Sequence, residues 1–296
     1  LVNSEIKTDQ QPLYQRDEIM IRDQETMQIL LDSIRSFVNE ELIPREEEVA
    51  ETDQIPDDIV AQMRDMGMFG LTIPEEFGGL GVTMEEEVNI AFELGRTSPA
   101  FRSFIGTNNG IGSIGILLDG TDEQKSRYLP RLASGEILSS FCLTEPDSGS
   151  DAASLRTTAV KDGNEYIING TKRYITNAPH AGIFTVMART NPDIKGAKGI
   201  SAFIVDANTS GITIGKCDKK MGQKGAHTAD VIFDNVRVPE SALIGEQEGV
   251  GFKTAMKVLD KGRLHIAAIA VGAAERVLED SLRFAMERKQ FGKPIA

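Results

Sequence analysis

Apolar residues recur at helical spacing in the first third of this chain. Residues 1–16 are polar and aperiodic, and we expect them to form a loose arm. From Asp17 onward the spacing predicts a helix that ends at Pro44, because proline lacks the N–H that a helix interior needs. The apolar face of this helix comprises Met27, Leu30, Leu31, Ile34, Val38 and Leu42.

Two capping boxes predict further helices in the same region. Thr83 stands three residues before Glu86, and Thr121 stands three residues before Gln124. In such a box the two side chains bond each other's backbone N–H groups at the start of a helix. Together with the apolar spacing, this predicts an α-helical domain over residues 1–135.

Short β-prone runs follow between residues 136 and 247. Asp162–Gly163 and Asn169–Gly170 are typical of hairpin turns. No helical pattern separates the runs, as a parallel sheet would require, so we expect an antiparallel barrel or sandwich. The predicted strands are Tyr166–Ile168, Ile183–Met187, Ile200–Val205, Ile212–Ile214 and Val231–Phe233.

The helical period returns from Gly251 to Gln290, a stretch without proline. A helix this long usually packs against helical partners. The predicted fold class is therefore α+β with several domains: an N-terminal α-helical domain, a middle β domain at 136–247, and the start of a C-terminal helical bundle at 248–296.

Charge and composition narrow the classes of function. The formal net charge of −13 opposes binding to nucleic acids and to anionic membranes. No apolar run approaches the length of a membrane span and no signal-peptide pattern opens the chain, so we expect a cytoplasmic protein. The two cysteines and three histidines lack metal-ligand spacing. The acidic runs 46–48 and 85–87 predict solvated helix faces.

Two polar segments of the β region could hold a flat, hydrogen-bonding ligand. Phe141–Asp151 places hydroxyls, a proline and a glycine in one turn, which can offer backbone N–H groups and short polar side chains. Tyr174–Asn177 lies at the end of a predicted strand, where Thr176 could face the same ligand. Taken singly, Thr144 and Thr176 could instead satisfy turns and strand ends.

These two segments resemble the flavin-binding signature of the acyl-CoA dehydrogenase family. Gly251–Arg263 and Arg288–Pro294 also resemble family segments, in the same order and at similar separations. The resemblance covers nearly the whole chain from about Asp17. It implies an FAD cofactor and an acyl-CoA thioester substrate on the three-domain fold predicted above.

The resemblance also assigns residues to the flavin. Tyr174, where many members have tryptophan, would pack on the isoalloxazine ring, and Thr176 would bond its reactive edge. Arginine suits a pyrophosphate because its planar fork binds two oxygens, although Arg288 could instead complement a helix dipole. The implied ligands are Phe141, Leu143, Thr144, Gly149, Ser150, Tyr174, Ile175 and Thr176, with Arg288, Gln290 and Phe291 reaching the FAD of a neighbouring subunit. A homo-oligomer, a dimer or tetramer, is therefore implied.

The family's CoA contacts match Ser150, Asp260 and Arg263. Asp260 and Arg263 share a helix face, so a surface ion pair between them is the alternative. Arg102 matches the position where dicarboxylyl-CoA members, such as glutaryl-CoA dehydrogenases, pair an arginine with the distal carboxylate. Those members tend to have a hydroxyl where this chain has Gly106, and an ion pair of Arg102 with a neighbouring acid is the alternative.

The implied reaction needs a carboxylate base to remove the α-proton of the thioester while hydride leaves the β-carbon. One family location for this glutamate immediately precedes the arginine of the CoA segment, and Gly262 occupies it here. The other location lies in the C-terminal helical domain, so we expect the base beyond Ala296. Glu145 is expected to be structural.

The residues and the resemblance together predict an FAD-dependent acyl-CoA dehydrogenase. It would form the trans-2-enoyl product, as in fatty acid β-oxidation, and pass electrons to an electron-transfer flavoprotein. An oxidase, a desulfinase or a flavin monooxygenase on the same scaffold is the first alternative. A non-catalytic fragment that binds flavin or acyl-CoA is the second.

Overall fold

The computed structural model describes residues 24–296, so the expected arm and the helix start at Asp17 lie outside the described residues. The apolar stripe forms α1 (Gln24–Phe37), followed by a π-helical turn (Val38–Leu42) and a 3₁₀ turn (Ile43–Arg45). Pro44 ends the first run of hydrogen bonds, but the chain stays helical because proline is tolerated in the first turn of a new helix. The 3₁₀ turn leads directly into α2 (Glu46–Thr52).

Five more helices complete the N-terminal α-helical domain. Both predicted capping boxes are confirmed. The hydroxyls of Thr83 and Thr121 accept hydrogen bonds from the backbone N–H groups of Glu86 and Gln124, whose side chains accept from the backbone N–H groups of the two threonines. The apolar faces enclose a core that includes Leu42, Phe69 and Phe101. The helices are α3 (Asp57–Asp65), α4 (Met84–Gly95), α5 (Pro99–Asn109), α6 (Ile114–Asp119) and α7 (Asp122–Ala133).

The prediction of a solvated acidic face at residues 85–87 is wrong for two of the three residues. Glu86 and Glu87 are each 5% exposed. Helix α4 packs against other helices on more than one side, and its first turn is covered there. Glu86 is used in the capping box, whereas Glu87 contacts a histidine on the last helix.

Seven strands form the middle domain in the order β1-β4-β2-β3-β7-β6, with β5 paired to β4. All five predicted strands occur. The expected antiparallel pairing holds for β2 with β3, β3 with β7, β4 with β5 and β6 with β7, whereas β1 and β2 each pair with β4 in parallel. The chain between β1 and β4 is long enough to return β4 in the same direction. The strands are β1 (Leu138–Cys142), β2 (Thr158–Asp162), β3 (Glu165–Thr176), β4 (Ala181–Arg189), β5 (Ile200–Asp206), β6 (Ile212–Ile214) and β7 (Thr228–Pro239).

The two predicted hairpin turns have different outcomes. Asp162–Gly163 does connect the antiparallel pair β2 and β3. Asn169–Gly170 lies inside β3 instead, where the register against β7 shifts. A Cβ on Gly170 would lie 2.3 Å from Thr157 Oγ1, so this glycine serves a close approach at a bulge.

A single helix, α8 (Gly251–Glu287), confirms the predicted long C-terminal element. It crosses α4 at two glycines: a Cβ on Gly272 would lie 2.1 Å from Phe92 O, and one on Gly95 would lie 2.4 Å from Ile269 O. These glycines therefore let the two backbones touch. Strands β8 (Lys289–Gln290) and β9 (Lys293–Pro294) form a small hairpin after α8. Within residues 24–296, no helix is both long and apolar enough to cross a membrane.

Candidate active site

The loop after β1 begins with buried residues and ends in solvent. Phe141, near the end of β1, and Leu143, in the loop, are buried; Thr144 is half-buried, and Gly149 and Ser150 are exposed. The carbonyl of Thr144 accepts a bond from the backbone N–H of Arg173 at 2.8 Å, which ties the loop to β3. The two polar segments singled out from the sequence are therefore neighbours in the fold.

A buried ion pair stabilises the backbone of this loop. Lys172 Nζ lies 2.9 Å from Glu145 Oε1 and donates to the carbonyl of Leu143 at 3.1 Å. Glu145 also accepts from the backbone N–H groups of Arg156 and Thr157 at 2.6 and 2.9 Å. Burial opposes the charged form of Glu145, but Lys172 and these hydrogen bonds outweigh it and lower the pKa of the carboxyl. Burial lowers the pKa of Lys172, and Glu145 opposes that shift.

The end of β3 presents Tyr174 and Thr176 near the same loop. Tyr174 has a φ of 59°, and its side chain is 60% exposed with the Arg173 guanidinium over the ring at 5.1 Å. Ile175 is buried, and the carbonyl of Thr176 accepts from Ser140 Oγ at 2.7 Å. A left-handed backbone at tyrosine is uncommon, and here it turns the aromatic face outward.

Asn177 fixes the end of β3 to the helical domain. It is fully buried at a φ of 61°, and its side-chain amide donates to Phe104 O and to Thr107 Oγ1, both at 2.9 Å. Because Phe104 and Thr107 belong to α5, this contact holds Thr176 beside that helix.

The free polar groups around the loop fit a flavin. The hydroxyls of Thr144, Ser150 and Thr176 make no hydrogen bond within the part of the chain that the structure describes. A Cβ on Gly149 would meet nothing within 4 Å. Unpaired hydroxyls beside an exposed aromatic face suit a flat ligand with hydrogen-bonding edges.

A cavity of about 480 Å³ opens beside Thr176, between α5 and α8. Residues of all three domains line it, and the lining is mostly apolar. Its polar side chains and glycines include Arg102, Gly106, Thr176, Gly262, Arg263 and His265. Thr176, Arg102 and Arg263, which the family resemblance assigns to cofactor or substrate, therefore line one cavity.

Arg102 carries a charge into this cavity without a direct partner. It forms no hydrogen bond or ion pair with the residues that the structure describes, so the expected alternative of a direct pair with an acid does not occur among them. Burial lowers the pKa of Arg102, and the more distant charge of Glu87 opposes that shift. A Cβ on Gly106 would lie 2.5 Å from Arg102 Nη1, so the guanidinium rests on this glycine.

Two residues of this region were missed by sequence reasoning. His265, on α8, is fully buried and lines the cavity. Its Nε2 atom lies 2.8 Å from Oε2 of Glu87 on α4. The two side chains are therefore in close contact, although the pair lacks hydrogen-bond geometry. Neither residue belongs to a sequence motif, because 178 positions separate them.

The other predicted CoA residues lie on the rim. Arg263 Nη1 is 2.6 Å from Asp260 Oδ1, and both side chains are exposed by more than two thirds. The surface ion pair is therefore present, and Arg263 also lines the cavity. Gly262 faces the same space, where a Cβ would lie 4.0 Å from the nearest atom, Ile111 Cγ2.

Arg288, Gln290 and Phe291 stand apart from these residues. They follow α8 in the small hairpin and are exposed, with Phe291 at a φ of 52°. No hydrogen bond or ion pair within residues 24–296 joins them to the loop after β1. Their contact with the FAD of a neighbouring subunit stays a prediction.

Comparisons with known proteins agree with this architecture. The chain matches the N-terminal domain of acyl-CoA dehydrogenase over residues 24–136, the middle domain over 140–236 and the C-terminal domain over 249–296. It is 44% identical to an acyl-CoA dehydrogenase of Bacillus subtilis (strain 168), covering 89% of this chain and 69% of that protein.

Two other relatives differ in the substrates that their names give. The chain is 41% identical to an acryloyl-CoA reductase (NADH) of Anaerotignum propionicum, covering 98% of this chain and 73% of that one. A glutaryl-coenzyme A dehydrogenase in complex with glutaryl-CoA superposes with a TM-score of 0.86 at 33% identity, covering 92% and 69% of the two chains. The chain belongs to the acyl-CoA dehydrogenase family, whose members are FAD-dependent oxidoreductases.

Proposed function

We propose that this chain is part of a dehydrogenase that oxidises the α,β bond of an acyl-CoA carrying a second carboxylate at the far end of its acyl group. The observation that carries the proposal is Arg102, a half-buried guanidinium without a direct partner among the described residues, in a cavity whose lining is mostly apolar. Burial removes part of the hydration of this charge, so an anion bound beside it would offset a cost that the free protein bears.

Arg102 is the feature that discriminates between substrates. Overall similarity does not, because the chain resembles both an acryloyl-CoA reductase and a glutaryl-CoA dehydrogenase. The absence of a hydroxyl-bearing side chain at position 106 matters sterically. The Arg102 guanidinium lies on Gly106, and a side chain there would displace it. In this chain the arginine would recognise the distal carboxylate without help from that position.

The flavin would be held by the loop after β1 and the end of β3. Bound FAD supplies the redox chemistry by accepting two electrons from the acyl chain. Thr144 and Thr176 would donate hydrogen bonds to its polar edge, and Tyr174 would cover part of its face. Lys172 and Glu145 would fix the backbone of the loop without touching the ligand.

The base is proposed to lie outside residues 24–296. Gly262 has no carboxylate to offer, although its position faces the cavity. Glu87 is buried against His265 and behind Arg102, so we assign it no proton transfer. We further propose a homo-oligomer in which Arg288 reaches the neighbouring flavin, and an electron-transfer flavoprotein as acceptor.

The proposal is tested by reduction of the bound flavin. The complete holoenzyme is mixed without oxygen with glutaryl-, adipyl-, butyryl- and octanoyl-CoA, and loss of the visible flavin band is followed. We expect the two dicarboxylyl thioesters to bleach the band at the lowest concentrations. Preferential bleaching by butyryl- or octanoyl-CoA would refute the substrate class.

Arg102→Gln is the matched variant. It should weaken the dicarboxylyl response by about tenfold or more, the scale expected for a charged hydrogen-bonded contact, and leave the monocarboxylyl response unchanged. Arg131→Ala is the control, since Arg131 is an exposed partner of Glu136. Equal losses for both thioester classes in Arg102→Gln would contradict the assigned role.

A further inference from the structure

Glu87 lies between the side chains of His265 and Arg102. On one side its Oε2 atom is 2.8 Å from His265 Nε2. On the other side it borders a small void that Arg102 also lines, and its charge acts on that guanidinium. The carboxylate nevertheless forms no ion pair with Arg102 in the described chain.

This arrangement decides whether Arg102 is available. A carboxylate in contact with Arg102 would neutralise it and compete with the carboxylate of a substrate. The charged groups that face His265 are Glu87 from α4 and Arg102 from α5, while Arg263 on α8 is exposed and paired with Asp260. His265 is thus in contact with Glu87, the acid that lies beside Arg102 among residues 24–296.

We propose that His265 is a positioning residue that holds Glu87 away from Arg102 and so keeps the arginine free for the distal carboxylate of the substrate. The inference rests on the proposed function, because it explains how an unpaired arginine persists next to an acid. His265 acts through Glu87, and it needs no contact with the thioester or the flavin.

A purely structural role makes a different prediction. If the pair only joined α4 to α8, removing His265 would lower the stability of the protein and affect all substrates alike. Under the proposal, the loss falls on dicarboxylyl substrates, and it disappears when Glu87 is neutralised as well. The double variant therefore separates the two roles.

The test uses the complete holoenzyme and three variants: His265→Leu, Glu87→Gln and the double variant. KM and kcat are measured with glutaryl-CoA and butyryl-CoA, with flavin content and melting temperature as folding controls. We expect His265→Leu to raise KM for glutaryl-CoA about tenfold at unchanged kcat, a coupling typical of residues in one charge network. The double variant should return to within about threefold of wild type.

Glu87→Gln keeps the inference testable if His265→Leu does not fold. Removal of the competing carboxylate should leave KM for glutaryl-CoA unchanged or lower, whereas a higher KM would show that Glu87 itself orients Arg102 and would overturn the proposal. Failure of the double variant to recover would also overturn it. If the wild-type holoenzyme shows no preference for glutaryl-CoA, the proposed substrate class fails, which is a separate result.

Discussion

At the scale of single residues, the lack of a partner distinguishes Arg102, the proposed substrate contact, from the buried charge of Lys172. Lys172 is as deeply buried as any charged group in the described chain, but Glu145 and a carbonyl satisfy it. Arg102 has no such partners. The first arrangement stabilises a loop, and the second leaves a charge for a ligand.

Lys172→Met tests the structural charge. The variant leaves Glu145 buried without its counter-ion, and we expect the free energy of unfolding to fall by about 3–5 kcal/mol. Lys161→Met removes an exposed pair with Glu240 and should lower the free energy of unfolding far less, because solvent screens that pair. Urea denaturation of the two variants measures the difference, and similar costs would contradict the role given to the buried pair.

The pH dependence of Glu145 has a definite sign. Its pKa is lowered in the folded protein, so its stabilising effect is present above the unfolded-state pKa and is lost as pH falls through the folded one. The stability gap between wild type and Glu145→Gln should therefore narrow in acid. A gap that widens toward low pH in the same denaturation series would reverse this assignment.

At the scale of elements, the sequence predicts helices and strands where local signals act alone. The capping boxes at Thr83 and Thr121 define the starts of their helices, and short β-prone runs define five strands. The predicted turn at Asn169–Gly170 was wrong, because a glycine required by the close contact with Thr157 looks the same in sequence as a glycine required by a turn. Arg102 was found through a family pattern, whereas Glu87 and His265 meet only after α4 and α8 pack.

The crossing of α4 and α8 gives an element-scale prediction. Gly272→Ala would place a methyl group 2.1 Å from Phe92 O, and we expect a loss of about 1–3 kcal/mol in stability from overpacking. Gly262→Ala is the control on the same helix, because its nearest neighbour would be 4.0 Å away. Helix propensity favours alanine there by up to about 1 kcal/mol. Thermal unfolding compares them, and equal effects would mean that the helices do not touch at Gly272.

At the scale of the whole molecule, the candidate site draws on all three domains. The middle domain supplies Thr176, α5 supplies Arg102 and α8 supplies His265. Asn177 joins the first two by its bonds to α5. The affinity for a substrate in this cavity would therefore depend on how the domains pack as well as on the residues that the substrate touches.

The separation of Arg288 from the loop after β1 leads to the last prediction, which concerns assembly. If Arg288 serves the flavin of a neighbouring subunit, Arg288→Ala should lower flavin content in the complete protein while the subunit stays folded. Arg283→Ala is the control, because Arg283 is an exposed neighbour on α8 that pairs with Asp280. Flavin absorbance per subunit and circular dichroism measure the two effects.

Mixed oligomers make this prediction specific to a shared site. Arg288→Ala subunits are unfolded and refolded with subunits that carry a disrupted loop, Thr144→Ala with Thr176→Ala. In a mixed dimer each site takes its loop from one subunit and its arginine from the other. Both defects then fall in the same site, and the second site has an intact loop and an intact arginine. Flavin binding should therefore recover in the mixture but in neither variant alone. No recovery, with mixed oligomers confirmed by mass, would place Arg288 in the service of its own subunit and remove the argument for a site built from two chains.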